Sequence, residues 1–240
     1  MTTADASAKT PEPQVRFQLP DPPERHPDEV TSYDQIHLPG NTHFLYQHLG
    51  NPETTLVAAE RYVVLAPRLG RGAIRRSPDL LIAFGVNPQA YRDSNGYIIS
   101  EQGKPPDFAL EVASPSTADV DTGAKRDDYA ALGILEYWRF DETGEHHGTR
   151  LAGERLENGV YVPIPIDELP DGSLQGYSAV LNLYLRWEDG LLGWYDPATG
   201  RHIPTFEDER AGRIEAEARA AVAEARIREL EEKLRQRGDN

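Results

Sequence analysis

Residues 104–117 read KPPDFALEVASPST. Within them, the large apolar side chains Phe108, Leu110 and Val112 alternate with Ala109, Glu111 and Ala113, the period of two expected of a β-strand. Glu111 therefore projects from the face opposite the large apolar groups. A carboxylate held mid-strand between two alanines is costly to bury unless something positive meets it, and a metal ion is one such partner. Upstream, SPDLLIAF places Asp79 behind Pro78 at the head of a wholly apolar strand. If these strands are neighbours, both carboxylates stand at one end of one sheet. Paired carboxylates with open coordination positions suit Mg²⁺, which keeps several waters and bridges to a substrate phosphate.

Downstream, DTGAKRDDY lies in a helix expected over about Ala118 to Leu132, with Asp119 and Asp121 in its first turns and Gly133 at its end. Lys125 lies in this helix, where an amine near the ion can hold the attacking water and offset charge on the phosphate. Arg126 is rotated about 100° away from it. Ahead of Asp79, RLGRGAIRR supplies Arg68, Arg71, Arg75 and Arg76, a cationic patch able to follow a phosphate backbone. The contact candidates are Arg71, Arg75 and Arg76. Tyr129, one turn beyond Lys125, reads as core packing or a hydrogen-bond donor. Ser114 and Ser116 have no general base at a recognisable offset, so they read as turn and capping residues. His43 and His48 sit on the first expected helix, and His146–His147 in a glycine-flanked turn; neither set has a zinc spacing. The bland readings are an ion pair between Glu111 and Lys125 or an arginine, and a turn-forming Asp79.

Around this centre, a helix is expected at Asn41 to Leu49, stopped by Gly50, and strands over Thr55 to Leu65, as one strand or two, and at Asp79 to Phe84, Phe108 to Ala113 and Ile134 to Phe140. Short alternating pieces follow near Thr149 to Leu151, Val160 to Ile164, Val180 to Trp187 and Leu191 to Tyr195, separated by ENG, DG, EDG and DPATG turns. The pattern predicts an α/β protein: a mixed central sheet with flanking helices, an antiparallel extension and a charged C-terminal helix. Three regions are expected. Residues 1–30, rich in Pro and acids, form a flexible arm; residues 31–205 form the folded domain; residues 206–240 form a helix. In that helix Ala216, Ala220, Ala223, Ile227, Leu230 and Leu234 make a thin seam of heptad type, through which a homo-oligomer could assemble as a coiled coil.

Composition narrows the classes. The 240 residues carry 40 acidic against 25 basic side chains, a net charge of −15, and no cysteine. Disulfides, thiolate metal sites and cysteine nucleophiles are excluded. A coat protein for nucleic acid is disfavoured, because non-specific affinity comes from neutralising phosphates, though a local basic patch around an acidic site is compatible with the count. No apolar run is long enough to cross a membrane, and the N-terminus shows no signal-peptide pattern, so a cytoplasmic location is the expectation.

The ordered set SPDLLIAFG, KPPDFALEVASPST, D-x-x-x-K-R-x-x-Y and A-x-L-G-I-x-E-Y-W-x-x-D resembles the Uma-type restriction endonuclease family, a branch of the PD-(D/E)XK nuclease superfamily. The likeness spans about Asp34 to Thr205, includes the YDPATG at Tyr195, and extends to the charged helical tail. It implies a restriction-endonuclease-like fold and hydrolysis of DNA phosphodiesters with Mg²⁺, or Mn²⁺ in its place. By the same resemblance Asp79 matches the PD aspartate, Glu111 the second acid, and Lys125 the helix lysine of this branch. The sequence departs from the superfamily's commonest form at Ala113, where that form has a lysine. Glu60, before RYVVL, is the candidate for an additional ligand or a residue supporting the ligands. The competing reading, of a different class, is a catalytically inactive module that keeps the nuclease fold and assembles through its C-terminal helix.

Overall fold

The computed structural model describes residues 17–22, 41–67, 70, 72–114, 122–204 and 206–238. A central six-stranded sheet has the order β1 (Thr55–Ala58), β3 (Leu80–Phe84), β5 (Phe108–Val112), β6 (Glu136–Phe140), β7 (Leu151–Glu157), β8 (Val160–Ile164). It is mixed: β5 and β6 run parallel, and every other pair is antiparallel. The parallel step needs a crossover, and α4 (Ala124–Leu132) lies on that connection. A second sheet is an antiparallel run of β13 (Arg201–His202), β12 (Leu191–Asp196), β11 (Leu183–Glu188), β10 (Leu174–Ser178) and β9 (Ile166–Glu168). A short parallel pair joins β2 (Val63–Val64) to β4 (Tyr97–Ile98). The remaining helices are α1 (Asn41–Leu49), α2 (Pro88–Ser94), α3 (Ile99–Gln102) and α5 (Phe206–Gly238). This is the mixed α/β architecture with an antiparallel extension that the patterning predicts.

Strand alternation divides the core in two. Leu80, Ile82, Phe108, Leu110, Val112, Trp138 and Phe140 face one way and pack with α1 and the second sheet. Trp138 fits between the sheets because Gly153 and Gly176 flank it: a Cβ built at either would stand 2.7 or 2.8 Å from its ring. On the other face Leu81, Ala83, Ala109 and Tyr137 pack with Tyr129 and Leu132 of α4 and with Val63 and Tyr97. The small Ala109 leaves room there for two tyrosine rings, Tyr129 and Tyr137, with centroids 5.1 Å apart.

The apolar run after Thr55 takes the two-strand alternative, broken by Ala59 to Tyr62, with Glu60 held at a positive φ of 52°. Other expectations change in detail. β9, β10, α2, β4 and α3 have no counterpart in the expected elements; they are short, and their identity comes from pairing across the fold. Helix α4 is regular only from Ala124, after Gly123, and residues 118–121 of the expected helix lie outside the described residues.

Within the expected N-terminal arm, residues 17–22 are described and docked. Leu19 is buried, its N–H donates to Ser94 O at 2.9 Å, and Asn95 Nδ2 donates to Leu19 O at 3.1 Å. Gly96 makes the slot for it, since a Cβ there would lie 2.6 Å from Leu19 Cδ1. One apolar side chain with satisfied backbone groups anchors a segment whose composition points to disorder. Helix α5 spans 33 residues. Its described side chains, Ala216, Ala220, Ala223 and Ile227 among them, are exposed, and those of Leu230 and Leu234 lie outside the described residues. Among the described residues no helix is long and apolar enough to cross a membrane.

Candidate active site

The pairing of β3 with β5 brings the two acids together. Leu80 lies opposite Leu110, Leu81 opposite Ala109 and Ile82 opposite Phe108. One step beyond the Leu80–Leu110 pair stand Asp79 and Glu111, on the face that α4 covers. Directly opposed residues of an antiparallel pair have Cβ atoms roughly 4.5–5.5 Å apart, so residues 32 positions apart in the sequence become neighbours. Both are buried, each about 1% exposed. Asp79 Oδ2 accepts the backbone N–H of Val112 at 2.6 Å, a charge-assisted bond that turns the carboxylate toward the end of β5.

Helix α4 supplies the positive partner. Lys125 Nζ lies 2.9 Å from Glu111 Oε2, and the lysine side chain keeps 15% of its surface exposed. One turn later, Tyr129 donates its hydroxyl to Glu111 Oε1 at 2.5 Å. Positions i and i+4 share a helix face, which is how both side chains converge on one carboxylate. Burial first, and then the neighbouring Glu111 charge and hydrogen bond with a contribution from Asp79, push the Tyr129 phenol well above its ordinary value. It therefore stays a protonated donor.

Ion pairs on both flanks fix the helix over the sheet. Arg126 Nε and Nη2 each lie 2.8 Å from Glu154 Oε1 on β7, and Arg126 Nη2 also donates to Tyr161 O at 3.0 Å. On the opposite flank Arg76 pairs with Asp128. Lys125 and Tyr129 are thus presented to Glu111 by a helix tied at two edges.

The other expected site residues distribute less evenly. Glu60 comes close through its backbone, its N–H donating to Pro78 O at 3.1 Å, but its side chain is exposed. Arg75 places its guanidinium carbon 5.6 Å from the Tyr62 ring centroid. Arg76 is committed to Asp128, and Arg71 lies outside the described residues. His43 and Ser116 likewise have no described side chain, and Ser114 is buried at the end of β5. The backbone N–H groups of His146 and His147 belong to a turn closed on Asp141.

Two buried acids carry structural roles that local patterning did not single out. Glu136, fully buried on the face opposite Glu111, accepts from Trp138 Nε1, Ser178 Oγ and the amides of Ala179 and Val180. It fastens the second sheet to the first. Asp141 accepts the N–H groups of Thr143, Gly144, His146 and His147. Its burial alone would raise the carboxyl, but those amides hold it below the ordinary carboxylate value. The EYWRFD run signals both acids only as charges inside an apolar strand.

A family model described as "Putative restriction endonuclease" matches residues 53–185, more than half of the chain and all of this site. The chain belongs to the Uma2 family. A crystal structure described as "a putative nuclease belonging to DUF820", from Anabaena variabilis, is 15% identical, covering 70% of this chain and 82% of that one, with a TM-score of 0.44. No curated protein matches the chain. In this Uma2 protein the amine beside Glu111 is not carried by position 113. Ala113 is buried and its N–H donates to Phe140 O at 2.7 Å, while the amine beside Glu111 comes from Lys125.

The donor chemistry of the acid pair fits a hard divalent cation. Among the described residues, no cluster of three or more histidine and acid side chains is arranged to hold a metal ion. Mg²⁺ does not require one, since it is commonly bound by one or two carboxylates, with waters and substrate oxygens completing its shell. Asp79 and Glu111 would be those carboxylates.

Proposed function

We propose that this Uma2 protein is a Mg²⁺-dependent DNA endonuclease whose acids Asp79 and Glu111 hold the ion and whose Lys125 assists the attacking water; Mn²⁺ suits the same oxygen donors. One observation carries the reading: the β3–β5 register sets two buried carboxylates side by side, with the Lys125 amine 2.9 Å from one of them. Two buried like charges repel, and a fold that retains them beside a cation is arranged for binding positive charge. The ion, when bound, supplies Lewis acidity and a template for the phosphate.

In the hydrolysis, a water oxygen bonds to phosphorus while one P–O bond to a sugar breaks, and the departing oxygen takes up a proton. Lys125 is partly exposed and can hold that water by hydrogen bonding and offset charge on the non-bridging oxygens. Asp79 and Glu111 are kept in position by the Val112 amide, Lys125 and Tyr129. The guanidinium of Arg75 is the described candidate for following the DNA backbone. Arg76 reads instead as a structural tie to α4.

The test is nicking of supercoiled plasmid by purified protein with Mg²⁺, beside Asp79→Asn and Lys125→Met. Cleavage by the unaltered protein alone, abolished by chelation, supports the reading; equal nicking by all three proteins refutes it. The second reading, a non-catalytic module, draws on the fact that both Glu111 oxygens already have partners in Lys125 and Tyr129. It requires no Mg²⁺ binding by calorimetry, together with loss of self-association when the chain is cut before Phe206.

A further inference from the structure

In the hydrolysis as drawn above the Tyr129 hydroxyl does no more than hold Glu111, and how it does so bears on the metal. It is fully buried and packs against Tyr137 at 5.1 Å between centroids. It reaches Glu111 Oε1 at 2.5 Å from the same helix face that sends Lys125 to Oε2. The two oxygens of Glu111 are thus held from two sides by groups of different character. Lys125 carries a charge, is long and jointed, and keeps contact with solvent. A divalent cation arriving at Oε2 would set a double charge against the single charge of its ammonium. The phenol has no charge to compete with, and its ring is locked among Ala109, Tyr137 and the rest of that core layer.

We propose that Tyr129 is a positioning residue for metal binding: it pins Glu111 by Oε1, so that Oε2, the oxygen on Lys125, is the one a divalent cation takes over. The inference rests on the metal-dependent reading above and adds to it a residue that touches neither the ion nor the substrate. Groups that hydrogen-bond a metal-ligating carboxylate commonly contribute 10–100-fold to metal affinity, because they fix its rotation before the ion arrives. Without the phenol, Glu111 can rotate about its last side-chain bond, and an oxygen must be ordered each time an ion binds.

The experiment is Mn²⁺ titration by calorimetry on the full chain, comparing the unaltered protein, Tyr129→Phe, Glu111→Gln and the double variant, with thermal unfolding measured on each. Expected is a loss of at least about 10-fold in Mn²⁺ affinity for Tyr129→Phe. The same change made in the Glu111→Gln background should have little further effect, because the phenol acts through Glu111. If Tyr129→Phe lowers the unfolding temperature but binds Mn²⁺ as tightly as the unaltered protein, Tyr129 is a packing residue and the inference is overturned by itself. If the unaltered protein binds no Mn²⁺, the metal-dependent reading is overturned and this inference goes with it. A crystal structure of the unaltered protein with Mn²⁺, located by anomalous scattering, needs no variant and decides the case should Tyr129→Phe not fold. The ion on Oε2 with Tyr129 still bonded to Oε1 supports the inference, and the ion on Oε1 with that bond broken overturns it.

Discussion

Replacing Glu136 by alanine should loosen the joint between the two sheets, and its cost can be worked from its bonds. Oε2 accepts from Ser178 Oγ at 2.6 Å and from the Trp138 indole N–H at 3.1 Å, both buried; Oε1 accepts the amides of Ala179 and Val180 at 3.0 and 3.3 Å, closer to solvent. Alanine leaves the Trp138 donor stranded between the sheets, a penalty of about 1–3 kcal/mol. The Ser178 hydroxyl can turn and still accept the Leu181 N–H, which it already does at 3.1 Å, so its loss is about 1 kcal/mol. Water can reach the two amides and replace most of their bonds. With the small cavity added, the sum is roughly 3–5 kcal/mol, a large part of the stability of about 5–15 kcal/mol usual for a domain. Glutamine keeps one acceptor oxygen and should cost about half as much. Urea unfolding followed by tryptophan fluorescence reads this directly, since Trp138 lies at the joint. An alanine variant within about 1 kcal/mol of the parent would show that Glu136 is incidental to sheet packing.

The remaining predictions concern the site and its supports. Asp79→Asn and Asp79→Ala should both abolish Mg²⁺-dependent nicking. The alanine should be less stable by about 1–3 kcal/mol, because it alone leaves the Val112 N–H without its acceptor; equal urea midpoints for the two variants would contradict that bond. Asp141 sits below the ordinary carboxylate value when folded, so its stabilisation is complete above the unfolded value and is lost as pH falls through the folded one. Asp141→Asn should therefore flatten the acid limb of a stability-against-pH curve, and an unchanged limb would rule the turn out as its source. Gly96→Ala puts a methyl 2.6 Å from Leu19 Cδ1 and 2.7 Å from Tyr62 O. Hydrogen exchange should then show the Leu19 amide exchanging much faster than in the parent, and equal protection would mean the slot tolerates the methyl.

The secondary structure at the centre was legible because its residues obey simple periods. FALEVA alternates by two, LLIAF is continuously apolar behind a proline, and AKRDDYAAL ends on a glycine in the left-handed conformation at φ 82°. The same periodicity shows that Glu111 opposes the large apolar side chains, and helical spacing shows that Lys125 and Tyr129 share a face while Arg126 leaves it. The short strands β9 and β10 and the docking of Leu19 were illegible, since each depends on a partner far along the chain and too few residues carry a local pattern. The role of Glu136 was hidden for the same reason: the partners that join it to the second sheet lie 42 to 44 positions away.

The amino-acid order by itself settles which side of each strand its acids and apolar groups occupy, because backbone geometry turns spacing into direction without reference to the rest of the molecule. It leaves open how strands 32 residues apart align, and on that alignment the site depends. A shift of one residue between β3 and β5 would turn Asp79 away from Glu111. Only the packed structure, in which Leu81 and Ala109 must share one core layer and Leu80 and Leu110 the other, selects the register that sets the two carboxylates side by side beneath Lys125 and Tyr129.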